Sequence, residues 1–250
     1  MITLENLTLS NPGEVLAVCG LFVLATRQDR KAMLAWTDNG AVIDTDQTLD
    51  ELLNNVFSAD IKTTPGEKSE PQSIQIGELL LDWWQYRNRS NKNKIWAGTV
   101  TAERLVATMI EGCKTIKGEH WMTATPCSQS TGIDAILVWT PIDLGWSPNK
   151  QKDGGIKIKM PARPWVELLI LIGTQGFSAL RTRNKHTADD WEYWLWEKPL
   201  TLLPARMVFR GDFKNNLKPV CATRYQAKVQ DKGKNLRALT FAERHSKGEF

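Results

Sequence analysis

Two stretches of the chain are apolar on every side: Val15–Ala25, and Trp165–Gly173 with Glu167 as its single charge. A helix with no polar face is buried rather than laid on a surface, so both are expected as core helices. The first carries a start signal, with Asn11 as cap, Pro12 at the first helical position and Glu14 placed to complete a capping box. Its small residues Ala17, Cys19 and Gly20 allow a neighbouring backbone to come close. The second follows Pro161-Ala162-Arg163-Pro164 and runs out at Thr174-Gln175-Gly176-Phe177.

Shorter alternating runs around these helices predict strands. Ile2, Leu4, Leu7 and Leu9 give a first one, and Ala32–Thr37 and Ala41–Thr45 flank Asp38-Asn39-Gly40, a strong hairpin signal. Asp46–Phe57 reads as a short helix, and Thr101–Lys114 as another, with Leu105, Val106, Met109 and Ile110 at helical spacing. Residues 58–73 read as a flexible connector or inserted loop, after which Ile74, Ile76 and Leu79–Leu81 resume strand character. Thr123–Gly132 reads as loop, and Ile133–Trp139 with Pro141–Asn149 as extended chain ending in a turn. An Asp153-Gly154-Gly155 turn enters a strand through Met160 that Pro161–Pro164 stops. Trp191–Trp196 alternates, with Leu200–Leu203 and Arg206–Arg210 as its expected partner, and residues 213–250 suggest a terminal hairpin with a basic tail. The expected fold class is α+β: antiparallel sheets with two buried helices. They form a single domain over 1–250, divisible into a half at 1–57 and a remainder at 74–250.

Composition changes this picture little, with 250 residues, 42% hydrophobic and 24% charged, enough chain to bury a core without staples. The distribution of charge adds more than the net value of +4. Residues 1–70 hold five Lys/Arg against eleven Asp/Glu, and residues 206–250 hold eleven against four. One acidic and one basic face are expected, the basic one a candidate for phosphates. Cys19, Cys113, Cys127 and Cys221 have no paired short spacing, so reduced thiols in a cytoplasmic protein are expected rather than a zinc site or a disulfide framework. The first residues lack the basic region of a signal peptide, and the apolar runs fall short of the roughly 18 residues of a membrane span, so no membrane partner is expected.

Catalytic chemistry finds little to use. His120, His186 and His245 have no sequence partners that suggest a triad. Asp82, Asp134, Asp143 and Glu167 lie in or beside apolar segments, where an ionised carboxylate must pair with a cation or cap an element. No glycine-rich phosphate loop, zinc-protease motif or paired CxxC occurs, and no cofactor or metal is expected. The remaining signal is aromatic and basic. Trp83, Trp84, Tyr86 and Trp96 flank Arg87, Arg89, Lys92 and Lys94; Lys157 and Lys159 share one side of the strand after the glycine turn; Arg181, Arg183 and Lys185 follow the second buried helix. Flat rings beside unneutralised cations suit base stacking and phosphate contact.

Several blocks also resemble a known family. Asn11-Pro12-Gly13 with Cys19-Gly20-Leu21, then Leu81-Asp82-Trp83-Trp84 with Trp96-Ala97-Gly98, then Asp143-Leu144-Gly145-Trp146-Ser147-Pro148-Asn149, then Arg163-Pro164-Trp165-Val166-Glu167-Leu168-Leu169 with Ile172–Phe177 stand in the order of its hallmark blocks. The family is that of small non-catalytic Cas proteins of type I-G (formerly I-U) CRISPR systems. Val18 and Thr174 depart from the pattern, which has a second cysteine and a leucine there. Residues 196–211 continue the likeness more loosely.

The resemblance implies a non-enzymatic subunit of a Cascade-like, RNA-guided effector complex in antiviral defence, acting with other Cas subunits and the Cas helicase-nuclease. Pairing reads the target in such assemblies while protein subunits hold nucleic-acid backbone. It also implies ferredoxin-like, RNA-recognition-type βαββαβ elements. On this expectation Arg87, Arg89, Lys92, Lys94, Lys157 and Lys159 contact phosphates of guide RNA or target DNA, and Trp84 or Trp96 offers a stacking surface. Two alternatives stay open: a guide-RNA-processing endoribonuclease using His120 or His186, and a purely structural adaptor.

Overall fold

The computed structural model describes residues 1–66, 71–85, 101–127, 130–136, 160–182, 189–212, 221–231 and 237–245. Its centre is a pair of helices, α1 (Pro12–Gln28) and a helix over Pro164–Gly176, α4 in chain order. Residues 12–25 of α1 and 164–174 of α4 are buried throughout. The two cross where Gly20 lies on the Leu169 carbonyl and Gly173 on the Leu16 carbonyl, so close that a Cβ at either glycine would overlap backbone. The close approach expected of the small residues in the first helix is therefore met by a glycine on the second. The N-terminal turns of both helices meet at one group of polar side chains, and Phe22 packs on Phe177 towards the other ends.

Among the described residues, four antiparallel sheets accompany the pair. β1 (Ile2–Leu4), β2 (Met33–Thr37) and β3 (Gly40–Asp44) take the order β1-β3-β2. The first strand is shorter than its pattern predicts, because Asn6 adopts a left-handed φ of 59° and turns the chain before Leu7. The hairpin forms as expected, with one refinement: Thr37 pairs with Gly40, so Asp38 and Asn39 are the loop and Gly40 is the first residue of β3. Gly40 is required there because a Cβ would run into the Leu4 carbonyl. α2 (Leu49–Phe57) follows, closed by a reciprocal capping box between Thr48 and Glu51. The run β1-α1-β2-β3-α2 with this strand order is compatible with the first part of a βαββαβ unit, but the strand after α2 pairs elsewhere.

β4 (Ile61–Thr64) pairs with β5 (Ser73–Ile76), which pairs with β6 (Leu79–Leu81). The expected connector at 58–73 thus contains a strand. All four of its residues are exposed, and an edge strand with no buried face leaves no alternation to read. The Thr123–Gly132 loop likewise holds β7 (Thr125–Cys127), paired with β8 (Met160–Ala162). β8 runs through Pro161, a residue a short two-stranded ribbon tolerates at its edge. Ala135 and Ile136 have helical backbone where extended chain is expected. α3 (Ala102–Cys113), capped by Thr101, buries Leu105, Val106 and Met109 and brings Gly112 against Pro164.

The C-terminal sheet has the order β12-β11-β10-β9, with β13 added to β11. Its strands are β9 (Leu180–Thr182), β10 (Asp189–Trp196), β11 (Ala222–Asp231), β12 (Arg237–Leu239) and β13 (Glu243–Arg244). Six consecutive residues of β10, Trp191–Trp196, are buried, so both its faces are covered. Tyr193 stacks on Tyr225 at 5.3 Å and on Phe209 at 5.8 Å, and Phe209 meets Phe177 at 5.5 Å. That aromatic column ties the sheet to the helix pair. The partner expected for β10 at 200–210 is instead a helix, α5 (Leu202–Arg210). Ala205, Val208 and Phe209 are at helical spacing on its buried side, Pro204 falls in the first turn, and Gly211 closes it at φ 78°.

The fold is α+β, with five helices and antiparallel sheets among the described residues. None of these helices is long and apolar enough to cross a membrane.

Candidate functional site

Buried charge in this protein is concentrated where the two central helices begin. Asn11 caps α1 by accepting from the Gly13 N–H, and the same oxygen accepts from the Ala135 N–H, both at 3.0 Å. Its amide nitrogen donates to Asp134 at 2.9 Å and to Glu14 at 3.3 Å. Glu14 does not close a capping box on its own cap residue. One of its oxygens reaches back to the Thr8 N–H at 2.6 Å, and the other accepts from Arg163 at 2.8 Å. Arg163, the cap residue of α4, grips Asp134 with two parallel hydrogen bonds of 2.8 and 2.6 Å.

Asn11, Glu14, Asp134 and Arg163 are each no more than 5% exposed. Burial opposes the charge of Arg163, yet the hydrogen bonds and charges of Asp134 and Glu14 outweigh it and raise the guanidinium pKa. Two carboxylates against one guanidinium leave the group one negative charge in excess. The excess sits in the first turns of two helices, whose unpaired N–H groups and dipoles favour it.

Glu167, one turn into α4, lies beside this group. The Ser130 and Thr131 hydroxyls donate to it at 2.6 Å each, and the Thr131 N–H at 2.9 Å. Burial, and then the charge of Asp134, push its pKa up to about 7, against the pull of those donors. Such a value would suit a general acid or base. Access does not, because Glu167 is 1% exposed and both its oxygens are occupied. The arrangement is a clasp: it joins the starts of α1 and α4 to the segment 130–136 and presents no reacting atom to a substrate.

Asp134 and Glu167 were legible as buried carboxylates that require partners. Arg163 was not singled out, although a lone arginine between Pro161-Ala162 and Pro164-Trp165, at the mouth of an apolar helix, is a cation that must be buried with a counter-charge. Asp82 is held by the Gln175 side chain at 3.0 Å, which makes it a partner of the end of α4.

The sequence-derived nucleic-acid residues divide unevenly. Arg87, Arg89, Lys92, Lys94, Trp96, Lys157 and Lys159 lie outside the described residues, as do Asp143 and His186. Trp83 is inside, donating its indole N–H to the Leu171 carbonyl at 2.9 Å. Trp84 is half-buried, edge-on to Trp83 at 5.8 Å, with its N–H on the Pro71 carbonyl at 2.9 Å. Packing therefore fixes both rings, and only the outer part of Trp84 remains for a stacking base. His120 is exposed beside Glu119 at 3.4 Å, and His245 follows β13 with one ring nitrogen buried and without a hydrogen bond among the described residues. Cys19 and Cys221 are free thiols, and burial raises the Cys19 pKa well above its usual value. Among the described residues no group of His, Cys, Asp and Glu is placed to hold a metal ion.

No protein-family model matches the chain, and no curated protein matches it.

Proposed function

We propose that this chain is a non-catalytic subunit of a type I CRISPR effector complex that holds the backbone of guide RNA or target DNA. The observation that carries the proposal is spatial. The sequence blocks that resemble the type I-G family lie far apart in the chain, yet three of them meet around the α1–α4 pair. Asn11 and Glu14 of the first block join Arg163 of the last; Gly20 packs on Leu169 and lies beside Gly173; Trp83 and Asp82 are bonded to Leu171 and Gln175. Residues that depend on each other in space give a reason for their joint occurrence, which supports reading them as one unit.

From this unit the chain leads into the basic stretches. Trp83 and Trp84 precede the Arg87–Lys94 run, and the clasped segment 130–136 and β8 flank the stretch with Lys157 and Lys159. The clasp gives the second stretch fixed points of departure and return, and the Trp83–Leu171 hydrogen bond fixes where the first departs. A backbone-binding role needs only cations and surface, so the absence of reactive access at the clasp is consistent with it.

The test is a titration of the full chain, alone and with its co-purified subunits, against guide-length RNA and duplex DNA at 50 and 200 mM salt. Binding that weakens steeply with salt, and that drops by about tenfold or more on joint charge reversal of Arg87, Arg89, Lys92 and Lys94, is the expected result. Indifference to both salt and reversal would sink the assignment. Cleavage of precursor RNA that disappears in His120→Ala or His186→Ala would replace it with the nuclease reading.

A further inference from the structure

Arg206 is the contrasting arginine. It lies on α5 with its side chain across Gly176, where a Cβ would come within 2.9 Å of one Nη and 3.2 Å of Nε. Val23 of α1 borders the same place. Its Nε is buried with no hydrogen-bond partner, and no carboxylate pairs with it among the described residues. One turn on, the Arg210 Nε is buried and makes no hydrogen bond among the described residues, although it pairs with the Asp212 carboxylate at 3.3 Å. The Ser178 hydroxyl, two residues past Gly176, is a third buried polar atom without a hydrogen bond among the described residues.

A surface arginine normally finds a carboxylate or extends into water. Here the missing side chain of Gly176 makes room for a half-buried guanidinium, and packing fixes its plane before any ligand arrives. Burial lowers the Arg206 pKa, which records the cost of holding a cation there unpaired. Arg206 and Arg210 also stand on the same face of the helix, where like charges at this spacing repel. An anion shared between their outer Nη groups would remove the repulsion, while the buried Nε atoms stay out of its reach. Guanidinium groups with fixed planes match the paired oxygens of a phosphate.

We infer that Arg206 and Arg210, seated on Gly176, form a binding site for a phosphodiester group of nucleic acid. The inference rests on the backbone-binding role proposed above and adds a site that the basic-aromatic pattern does not mark. Arg206 supplies the fixed, packed contact, and Arg210, whose side chain is 37% exposed, supplies the outer one. Asp212 competes for Arg210 in the free protein and is displaced on binding.

The experiment uses the full chain with two probes, a fluorescein-labelled 20-nucleotide single-stranded RNA and a duplex DNA of the same length, at 50, 100 and 200 mM salt. Arg206→Gln is expected to weaken binding of at least one probe about five- to tenfold and to lower its salt slope by about one, and Arg206→Lys to restore the slope but not all of the affinity. The probe that responds identifies the nucleic acid. Arg210→Gln, at a more exposed position, should give a smaller loss in the same direction and serves if Arg206→Gln folds poorly. Parent-like affinity and slope for both probes in both variants overturns the site while leaving the backbone-binding role in place. Failure of the parent chain to bind either probe, alone or with its co-purified subunits, overturns both.

Discussion

The two ends of α4 hold arginines on opposite terms. At its start, Arg163 is almost fully buried and meets two carboxylates through three hydrogen bonds. Beside its end, Arg206 is half-buried and meets none among the described residues. The same guanidinium chemistry is spent on architecture in one place and left open in the other. A cation whose donors are consumed inside the protein has nothing left to offer a ligand, whereas one held by packing alone keeps its exposed edge for an incoming anion.

The strongest way to break this contrast is Arg163→Leu. Removing the guanidinium leaves Glu14 and Asp134 buried beside each other without a counter-charge, a situation that costs about 3–5 kcal/mol. Urea unfolding should show a loss of that order. A loss below about 1 kcal/mol would mean that the clasp is not what joins α1 to α4.

Glu167→Gln sharpens the same end by isolating its third carboxylate. Its folded pKa of about 7 lies above the ordinary 4.5. Between those two values the folded state binds the proton more tightly than the unfolded one, so stability falls as pH rises through that window and stays low above it. The full effect is about 3 kcal/mol if the other nearby charges, Asp134, Glu14 and Arg163, keep their state. The glutamine variant should therefore unfold at nearly the same urea concentration from pH 5 to 7.5, while the parent loses ground. Parallel pH profiles for the two proteins would show that Glu167 is ionised throughout.

How much of this was legible in the sequence follows from what each residue needs. Val15–Ala25 and Trp165–Gly173 were readable as buried helices because a helix lacking a polar face has only one place to go. Gly20 marked a close approach, though its partner Gly173 could be found only by folding the chain. β4 was hidden because exposed strand residues follow no alternation, and α5 was misread because Leu200–Leu203 is a short apolar run of either type until Gly211 is seen to close a helix. In the clasp, the need of Asp134 and Glu167 for partners was visible, but the partners were not. Arg163 lies 149 residues from Glu14, and no local pattern carries a contact of that range. Arg206 was missed for the opposite reason: what distinguishes it is a lack of partners, which a sequence does not display.

The smallest expected effect is the most discriminating. Arg206→Leu keeps an apolar stem over Gly176 and against Val23 while deleting the buried Nε that has no acceptor. An unsatisfied buried donor costs about 1–3 kcal/mol, so its removal is a gain. Two losses offset it: part of the arginine stem's burial, and the favourable placement of a cation near the C-terminal turn of α4, worth about 0.3–1 kcal/mol. The balance lies between no change and a stabilisation of about 1 kcal/mol, read as an unchanged or higher urea midpoint. A residue retained for a ligand shows this pattern, in which the apo protein does no worse without it and the complex does. If Arg206→Leu instead costs about 2 kcal/mol or more, the arginine is the counter-charge that holds the end of α4, and the two ends of the helix are built on the same terms after all.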